Sequence, residues 1–278
     1  MKQNPFSFYD FLGYLIPGAF LLYTLFFLGS HYNWSIALEL NKQLPKNNSL
    51  GDILNLFPLV ISSYITGHLL SLSSSSVIEI YSKYKNGYPS TYLISGPRKK
   101  CYFSSSKKSE LAAKIFIFAL TLPISVFDAI FFFLRQDEGM AFKLKSPVFE
   151  ACKKILNDRF HVDTTSMNGT TGLDGDSFRL IYHFSFENSE QHANKLQNYV
   201  ALYGFTRNIS MAALVLFWLL IYLNLALNFS TGATPIIISA ATAIIFYKGF
   251  VKFYRRYSLE AMMAACIIQA KEDKNTPT

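Results

Sequence analysis

Long apolar segments alternate with short polar segments along most of this chain. Five apolar runs carry few charges: residues 11–28, 53–72, 115–134, 209–227, and 235–246 extended to 254. An apolar run of about 18 residues or more is long enough to cross the hydrocarbon core of a bilayer as a helix. The pattern therefore predicts an all-α fold, a multi-pass α-helical membrane protein with a small cytoplasmic helical bundle.

The composition agrees with this class. Of the 278 residues, 51% are hydrophobic and 16% are charged, whereas about a quarter of an average soluble domain is charged. The three cysteines, Cys101, Cys152 and Cys266, are too few and too scattered for a disulfide framework. The first run is long and lacks a small-residue cleavage site, so we expect it to remain as a membrane anchor.

Basic residues follow the ends of the apolar runs, and the net charge is +8. They cluster between the second and third runs and after the fifth, so the positive-inside rule predicts that both regions and both termini are cytoplasmic. Contact with lipid headgroups is favoured over nucleic acid. The candidate headgroup contacts are Arg98, Lys99, Lys100, Lys107, Lys108, Arg255 and Arg256.

The third run, residues 115–134, conflicts with this topology, because five crossings would put the tail and the basic loop on opposite sides. Pro123 breaks a helix and Asp128 is costly at membrane depth, so a re-entrant segment that does not cross is favoured. The alternative is that the run crosses, with Asp128 facing a neighbouring helix and the tail outside.

Six regions follow from this pattern. They are a transmembrane hairpin at 1–73, a basic cytoplasmic loop at 74–112, a membrane-embedded or re-entrant segment at 113–135, a cytoplasmic helical region at 136–207, a second transmembrane hairpin at 208–254, and a cytoplasmic helix and tail at 255–278. Within 136–207, Ser146 and Pro147 predict the start of a short helix. A long helix from Asp176 has no breaker before Gly204, and residues 271–278 are expected to be disordered.

The first run contains a helix break. Asn4 and Pro5 predict a helix start, and Pro17 cannot donate to the carbonyl of Gly13, four residues earlier. Gly13, Pro17 and Gly18 are therefore the candidate hinge. A static kink that turns an interfacial entry into a crossing helix is favoured over a hinge that moves.

Several polar residues are expected at membrane depth, where an ionisable group is by default a functional hypothesis. They are Asp10, Asn55, Ser62, Thr66, His68, Asp128 and Asn224. Asp128 with His68 would suit a proton relay, and Asn55, Ser62 and Thr66 share one helix face that would suit a polar path. Ordinary packing and hydrogen bonding between helices is the favoured interpretation for each residue.

Motifs for catalysis are absent from the sequence. It contains no G-x-S-x-G, no H-E-x-x-H and no glycine-rich phosphate loop, and its five histidines lack ligand spacing. Asp174 and Asp176 in "GLDGD" are a weak signal for a metal. We therefore predict a protein that is not an enzyme, with no cofactor and no metal. A membrane enzyme acting on lipid remains a minor alternative.

Short motifs suggest a relationship. "FYDFLGYLIPG", "ITGHLLS", "YGFTRNISMAALVLF" and "FVKFYRRY" resemble a set of uncharacterised bacterial multi-pass inner-membrane proteins, some of which occur near phage-defence genes. The resemblance implies an antiviral effector. With Ser239 and Ala243 as a face for close helix contact, we expect a homo-oligomer that binds a cytoplasmic protein partner and alters membrane permeability. The alternative is a small ion channel or transporter with a housekeeping role.

Overall fold

Helices make up most of the described part of this chain. The computed structural model describes residues 8–35, 37–39, 57–96, 102–105, 107–130, 139–226 and 232–275. Every regular element in these ranges is a helix, which confirms the predicted all-α class. Asn4, Asn55, Arg98, Lys99, Lys100 and Cys101, which the sequence analysis singled out, lie outside the described residues.

Ten α-helices and two π-helical segments are described. The α-helices are α1 (Ile16–His31), α2 (Phe57–Ser74), α3 (Ile80–Asn86), α4 (Pro89–Ser95), α5 (Lys108–Leu120), α6 (Leu122–Ile130), α7 (Phe142–Phe160), α8 (Gly175–Glu187), α9 (Glu190–Ala226) and α10 (Ala233–Asn275). The π-helical segments are π1 (Phe11–Leu15), which follows a short turn at Phe8–Asp10 and leads into α1, and π2 (Ser75–Glu79), which joins α2 to α3.

Within the described ranges, three helical segments are long and apolar enough to cross a membrane: Phe11–His31, Glu190–Ala226 and Ala233–Lys274. They correspond to the first, fourth and fifth predicted runs. Helix α2, from the second predicted run, is not among them. Helices α5 and α6 pass the test only as a pair, and they are bent by 95° where they meet. This bend fits either a broken span or a re-entrant loop, so whether the third run crosses stays a prediction.

The described chain forms two compact units, and unit I comprises residues 1–79, 118–130 and 204–250. Its core lies between α1, α2 and α9, where apolar side chains at helical spacing interdigitate. The buried residues of this core are Leu21, Leu28, Leu70, Ala212, Leu216 and Leu220.

Unit II comprises residues 80–117, 131–203 and 251–278. Its core is built from α4, α7, α8 and the parts of α9 and α10 in this unit. Cys152, Ile155, Leu173, Ile181 and Met262 are fully buried there. Asp174 caps α8, because its carboxylate accepts the main-chain N–H groups of Asp176 and Ser177.

Helix α7 begins earlier than the sequence predicts. It starts at Phe142 with Ala141 as the N-cap, so Ser146 is not the cap and Pro147 lies inside the helix. Proline at this point withholds a hydrogen bond only from the carbonyl of Lys143, in the exposed first turn, where water can take its place.

The prediction of a single helix from Asp176 is also wrong. This region is divided at Asn188 and Ser189, between α8 and α9, and Asn188 donates its side-chain amide to the carbonyl of Phe184. An asparagine side chain competes for backbone partners in this way and ends helices. Gly204, by contrast, lies inside α9.

Two further boundaries differ from prediction. The expected basic loop at 74–112 contains α3 and α4, and it also contains the start of α5. Apolar packing in the core of unit II stabilises α4 as a helix, since Tyr92, Leu93 and Ile94 are all buried there. At the other end, α10 continues as one helix to Asn275, so residues 271–275 are helical rather than disordered.

Candidate functional site

The first helix break of unit I is π1, at the predicted hinge. Pro17 is near the start of α1 and has no N–H to donate to the carbonyl of Gly13. The side-chain amide of Asn208, on α9, donates to that carbonyl instead, with Nδ2 2.7 Å from the oxygen. A backbone group released by proline inside a helical membrane protein is satisfied in this way by a neighbouring helix.

The second break is π2, and the same part of α9 contacts it. The hydroxyl of Ser74, the last residue before π2, donates to Oδ1 of Asn208. Arg207 forms an ion pair with Glu79, the last residue of π2, and also donates to the hydroxyl of Ser71, 3.3 Å away. The side chain of Arg207 is 8% exposed and that of Glu79 is 18% exposed, so this pair is largely removed from solvent.

Asn208 therefore contacts both π-helical segments at once. The residue is 1% exposed, and its amide serves as donor to one segment and acceptor from the other. A buried polar group is tolerated only when its hydrogen bonds are made, and both ends of this side chain have a partner. π-Helical turns are rare and often occur at functional sites.

The third break separates α5 from α6 at Thr121, two residues before Pro123. The proline disfavours a helical conformation at the residue before it and removes one backbone donor, which accounts for a sharp break close by. The indole N–H of Trp218, on α9, donates to the carbonyl of Leu120 at 2.8 Å. Sequence reasoning placed the break near the middle of the third run, and its position is confirmed.

Asp128 lies beyond this break and pairs with Lys248 of α10. The distance between Nζ and Oδ1 is 2.7 Å, and the carboxylate side chain is 3% exposed. A charge removed from water requires such a partner, because the desolvation cost is otherwise several kcal/mol. Asp128 therefore faces a neighbouring helix, but this contact does not decide whether the third run crosses. His68 stacks on Tyr14, with ring centroids 4.0 Å apart.

We call these interactions the break contacts. They are the polar contacts that Arg207, Asn208 and Trp218 of α9 and Lys248 of α10 make with π1, π2 and the α5–α6 bend. In each case a long continuous helix holds a segment whose helix is interrupted. The interrupted segments thus depend on side-chain contacts where a regular helix would depend on its own backbone.

Close glycine packing joins α1 to α2 beside π1. A Cβ atom at Gly18 would overlap the main-chain oxygen of Ser63, and one at Gly67 would overlap the main-chain oxygen of Tyr14. Gly18, predicted as part of a hinge, therefore serves a tight helix contact. Small residues permit this kind of backbone approach in membrane helices.

The predicted small-residue face on α10 is also used within the chain. Ala243 is fully buried, and its carbonyl accepts a hydrogen bond from the hydroxyl of Ser210 on α9 at 2.9 Å. Ser239 is buried as well. This face therefore contributes to packing of α10 within the chain, and the expected homo-oligomer stays a prediction.

The remaining predicted polar residues occupy varied positions. Ser62 and His68 are exposed on α2, Thr66 is half-buried, and the buried hydroxyl of this helix belongs to Ser63. Asp10 and Asn224 are half-buried. The proposed path along Ser62 and Thr66 is therefore not enclosed by this chain alone.

The candidate headgroup contacts that are described lie mostly on the surface. Lys107, Lys108 and Arg256 are exposed, whereas half-buried Arg255 contacts the carbonyl of Gly139 at 3.5 Å. Asp174 is occupied as a helix cap, and Asp176 lies 3.5 Å from Arg179. The described part of the chain contains no group of three or more metal-ligating side chains.

Sequence reasoning missed the residues that hold the breaks. Arg207 and Asn208 stand at the boundary between two predicted regions, and Glu79 lies within the expected basic loop at 74–112. Lys248 contributes to the prediction only as part of the basic cluster at the end of the fifth run. One signal was available: "TRN" at 206–208 places a cation and an amide directly at the start of an apolar run. Polar side chains at that position need partners on adjacent helices.

Comparisons with protein-family models, with curated proteins and with solved structures find no match for this chain.

Proposed function

We propose that this chain is a non-enzymatic membrane protein of the bacterial inner membrane that alters membrane permeability by rearranging the interrupted helices of unit I. The break contacts carry this proposal. Ionisable side chains in membrane helices are costly and are retained mainly where they serve function. Here Arg207 pairs with Glu79, the last residue of π2, and Lys248 pairs with Asp128 in α6, beyond the α5–α6 bend.

The physical basis is the difference between an interrupted and a continuous helix. A continuous membrane helix satisfies its own backbone and has no second arrangement of similar energy. An interrupted helix depends on neighbouring side chains, so exchanging a few polar contacts can change its path. Discontinuous helices at ion and substrate sites of transporters use the same property.

We further propose the setting implied by the motif resemblance, an oligomeric phage-defence effector with a cytoplasmic protein partner. In that setting the permeability change follows infection. Expression of the wild-type chain in bacteria, or infection of cells that carry it, is expected to depolarise the membrane, measured with a potential-sensitive dye. Unchanged potential under both conditions, with the protein present in the membrane fraction, contradicts the proposal.

Variants connect the expected depolarisation to the break contacts. Lys248→Met leaves Asp128 without its ammonium partner and is expected to change the extent of depolarisation. The charge exchange Asp128→Lys with Lys248→Asp restores a pair and is expected to return the response toward wild type. Lys154→Met, which removes an exposed ion pair with Asp273 in unit II, is the matched control and should have no effect.

A housekeeping ion channel is the second candidate, and the exposed polar residues of α2 favour it. Ser62 and His68 face outward from this chain, where they would line a path between copies of an oligomer. This function predicts ion flux through liposomes that contain the purified protein alone. Loss of that flux in Ser62→Leu and Asp128→Ala variants supports the channel, whereas flux that requires infection or a partner supports the effector.

A further inference from the structure

Unit II contains a cavity of about 440 Å³ that is separate from the break contacts. Its walls come from three elements: Ile94 at the end of α4, one face of α7, and the loop that leads from α7 to α8. A volume of this size lies within the range of sites for small molecules. All the charged side chains among the described lining residues belong to α7.

Two lysines on α7 supply positive charge to the cavity. Lys145, Phe149 and Lys153 are spaced four residues apart and therefore share one face of the helix. The Cα atoms of the two lysines are about 12 Å apart along the axis, from eight residues at about 1.5 Å each. Glu150 is the one acidic side chain among the described lining residues, so the cavity carries a net positive charge.

The ammonium group of Lys145 has no ion pair among the described residues. It lies beside two glycines: a Cβ atom would be 3.4 Å from Nζ at Gly139 and 3.8 Å from it at Gly96. The half-buried Lys145 thus lies close to two backbone segments that carry no side chain at these positions. Lys153 is only weakly paired, since its Nζ is 3.9 Å from Glu150 and lies over the ring of Phe149.

The other residues that line the cavity include both apolar side chains and side chains that form hydrogen bonds. Ile94 and Phe149 are buried and Met167 is half-buried, so these three residues offer an apolar surface. Ser146 and Asn168 add a hydroxyl and an amide. The side-chain oxygen of Asn168 already accepts from Thr170 and Thr171 within the loop, which leaves its N–H groups as donors.

We propose that this cavity binds a phosphate group that is attached to an apolar portion, with Lys145 and Lys153 contacting the phosphate oxygens. Ammonium groups bind phosphate as point charges, and the apolar surface accommodates an attached ring or chain. Two sources provide this chemistry: a soluble phosphate ester such as a nucleotide, and the phosphomonoester headgroup of an anionic lipid such as phosphatidic acid. Binding is measured directly, so the result does not depend on whether the protein alters permeability.

The test uses the purified full-length protein in nanodiscs made of phosphatidylcholine. Calorimetric titration with ATP and with pyrophosphate measures a soluble source, and repetition in nanodiscs that contain phosphatidic acid tests whether a lipid headgroup already occupies the site. Binding of ATP that is stronger than that of pyrophosphate is expected if the attached portion contacts the apolar surface. If the headgroup of phosphatidic acid occupies the cavity, ATP binding is expected to be lost in the nanodiscs that contain this lipid.

Three variants decide whether binding occurs in this cavity. Lys145→Gln and Lys153→Gln are each expected to weaken binding at least tenfold, and Glu150→Gln is expected to strengthen it. Lys143→Gln removes an exposed lysine of the same helix that does not line the cavity, and it should leave binding unchanged. The proposal is overturned if neither ATP nor phosphatidic acid binds, or if Lys145→Gln and Lys143→Gln have equal effects.

Discussion

The side-chain amide of Asn208 donates to the main-chain oxygen of Gly13, 195 residues earlier in the chain, at 2.7 Å. Gly13 is the residue whose carbonyl Pro17 cannot satisfy. The hydrogen bond that Pro17 cannot make in the first predicted run is thus replaced by one from a single side chain on α9. The same side chain accepts a hydrogen bond from Ser74, so one residue stabilises two interruptions.

Replacement of this amide is the most direct test of that relationship. Asn208→Ala leaves the carbonyl of Gly13 without its amide donor, whereas the hydroxyl of Ser74 can still donate to the carbonyl of Ser71 at 3.0 Å. The loss at the buried carbonyl is expected to cost about 1–3 kcal/mol. Thermal unfolding of the detergent-solubilised protein measures the loss. Asn198→Ala, at an exposed position of the same helix, is the control, and equal destabilisation by both substitutions would contradict the assigned role.

The glycine contact between α1 and α2 predicts a steric effect. Gly18→Ala and Gly67→Ala each place a methyl group against main-chain atoms of the other helix, so the helices must separate. We expect lower thermal stability for both variants. Gly169→Ala, where no atom lies within 4 Å of the added Cβ, should behave as wild type. Wild-type stability of Gly18→Ala would show that α1 and α2 do not approach as closely as described.

The buried pair of Asp128 and Lys248 predicts non-additive substitutions. Asp128→Leu or Lys248→Met alone leaves an uncompensated charge and is expected to destabilise the protein by about 3 kcal/mol. The double variant removes both charges and is expected to be less destabilised than the sum of the two single variants. Denaturant or thermal unfolding of all four proteins gives the coupling free energy, and strict additivity would mean that the two side chains do not interact.

Tyr102 predicts a pH dependence of stability at alkaline pH. Burial, with a smaller contribution from Tyr84, raises the pKa of the Tyr102 phenol above its ordinary value. The unfolded chain then loses this proton near pH 10 while the folded chain keeps it, so stability falls as the pH rises above about 10. Tyr102→Phe is expected to reduce the drop in melting temperature between about pH 9 and about pH 11. The exposed Tyr88→Phe serves as control, and an identical drop in wild type and Tyr102→Phe would argue against a buried phenol.

Topology is tested by labelling introduced cysteines with a membrane-impermeant thiol reagent. Cys152 does not report topology, because it is fully buried and burial raises the pKa of its thiol, which makes it unreactive on either side. Gly169→Cys and Ala270→Cys are exposed positions that serve instead. If the third run re-enters without crossing, both are protected in intact cells while Asn47→Cys is labelled.

Permeabilised cells supply the control for this measurement, since all three introduced cysteines should then react. Labelling of both Gly169→Cys and Ala270→Cys in intact cells would show that unit II faces outward and that the predicted orientation of the chain is inverted. A partner of unit II in the cytoplasm would then be ruled out.

The sequence by itself determined the class of this protein and two of the three described places in unit I where its helices are interrupted. Apolar runs of membrane length predict helices because a backbone in lipid must satisfy its own hydrogen bonds. Pro17 and Pro123 predict interruptions because proline lacks an N–H, and π1 and the α5–α6 bend lie beside them. These signals are local, so they can be read along the chain.

Only the tertiary structure decided how the interruptions are stabilised. Arg207 and Glu79 are 128 residues apart, Asp128 and Lys248 are 120 residues apart, and no local pattern states which cation faces which carboxylate. The π2 segment contains no proline, so no local signal in the sequence predicts it. The hydrogen bond between Ser74, directly before π2, and Asn208 exists only in the folded chain. The partner of a buried polar group depends on which helix faces are packed together, and that packing is set by the whole fold.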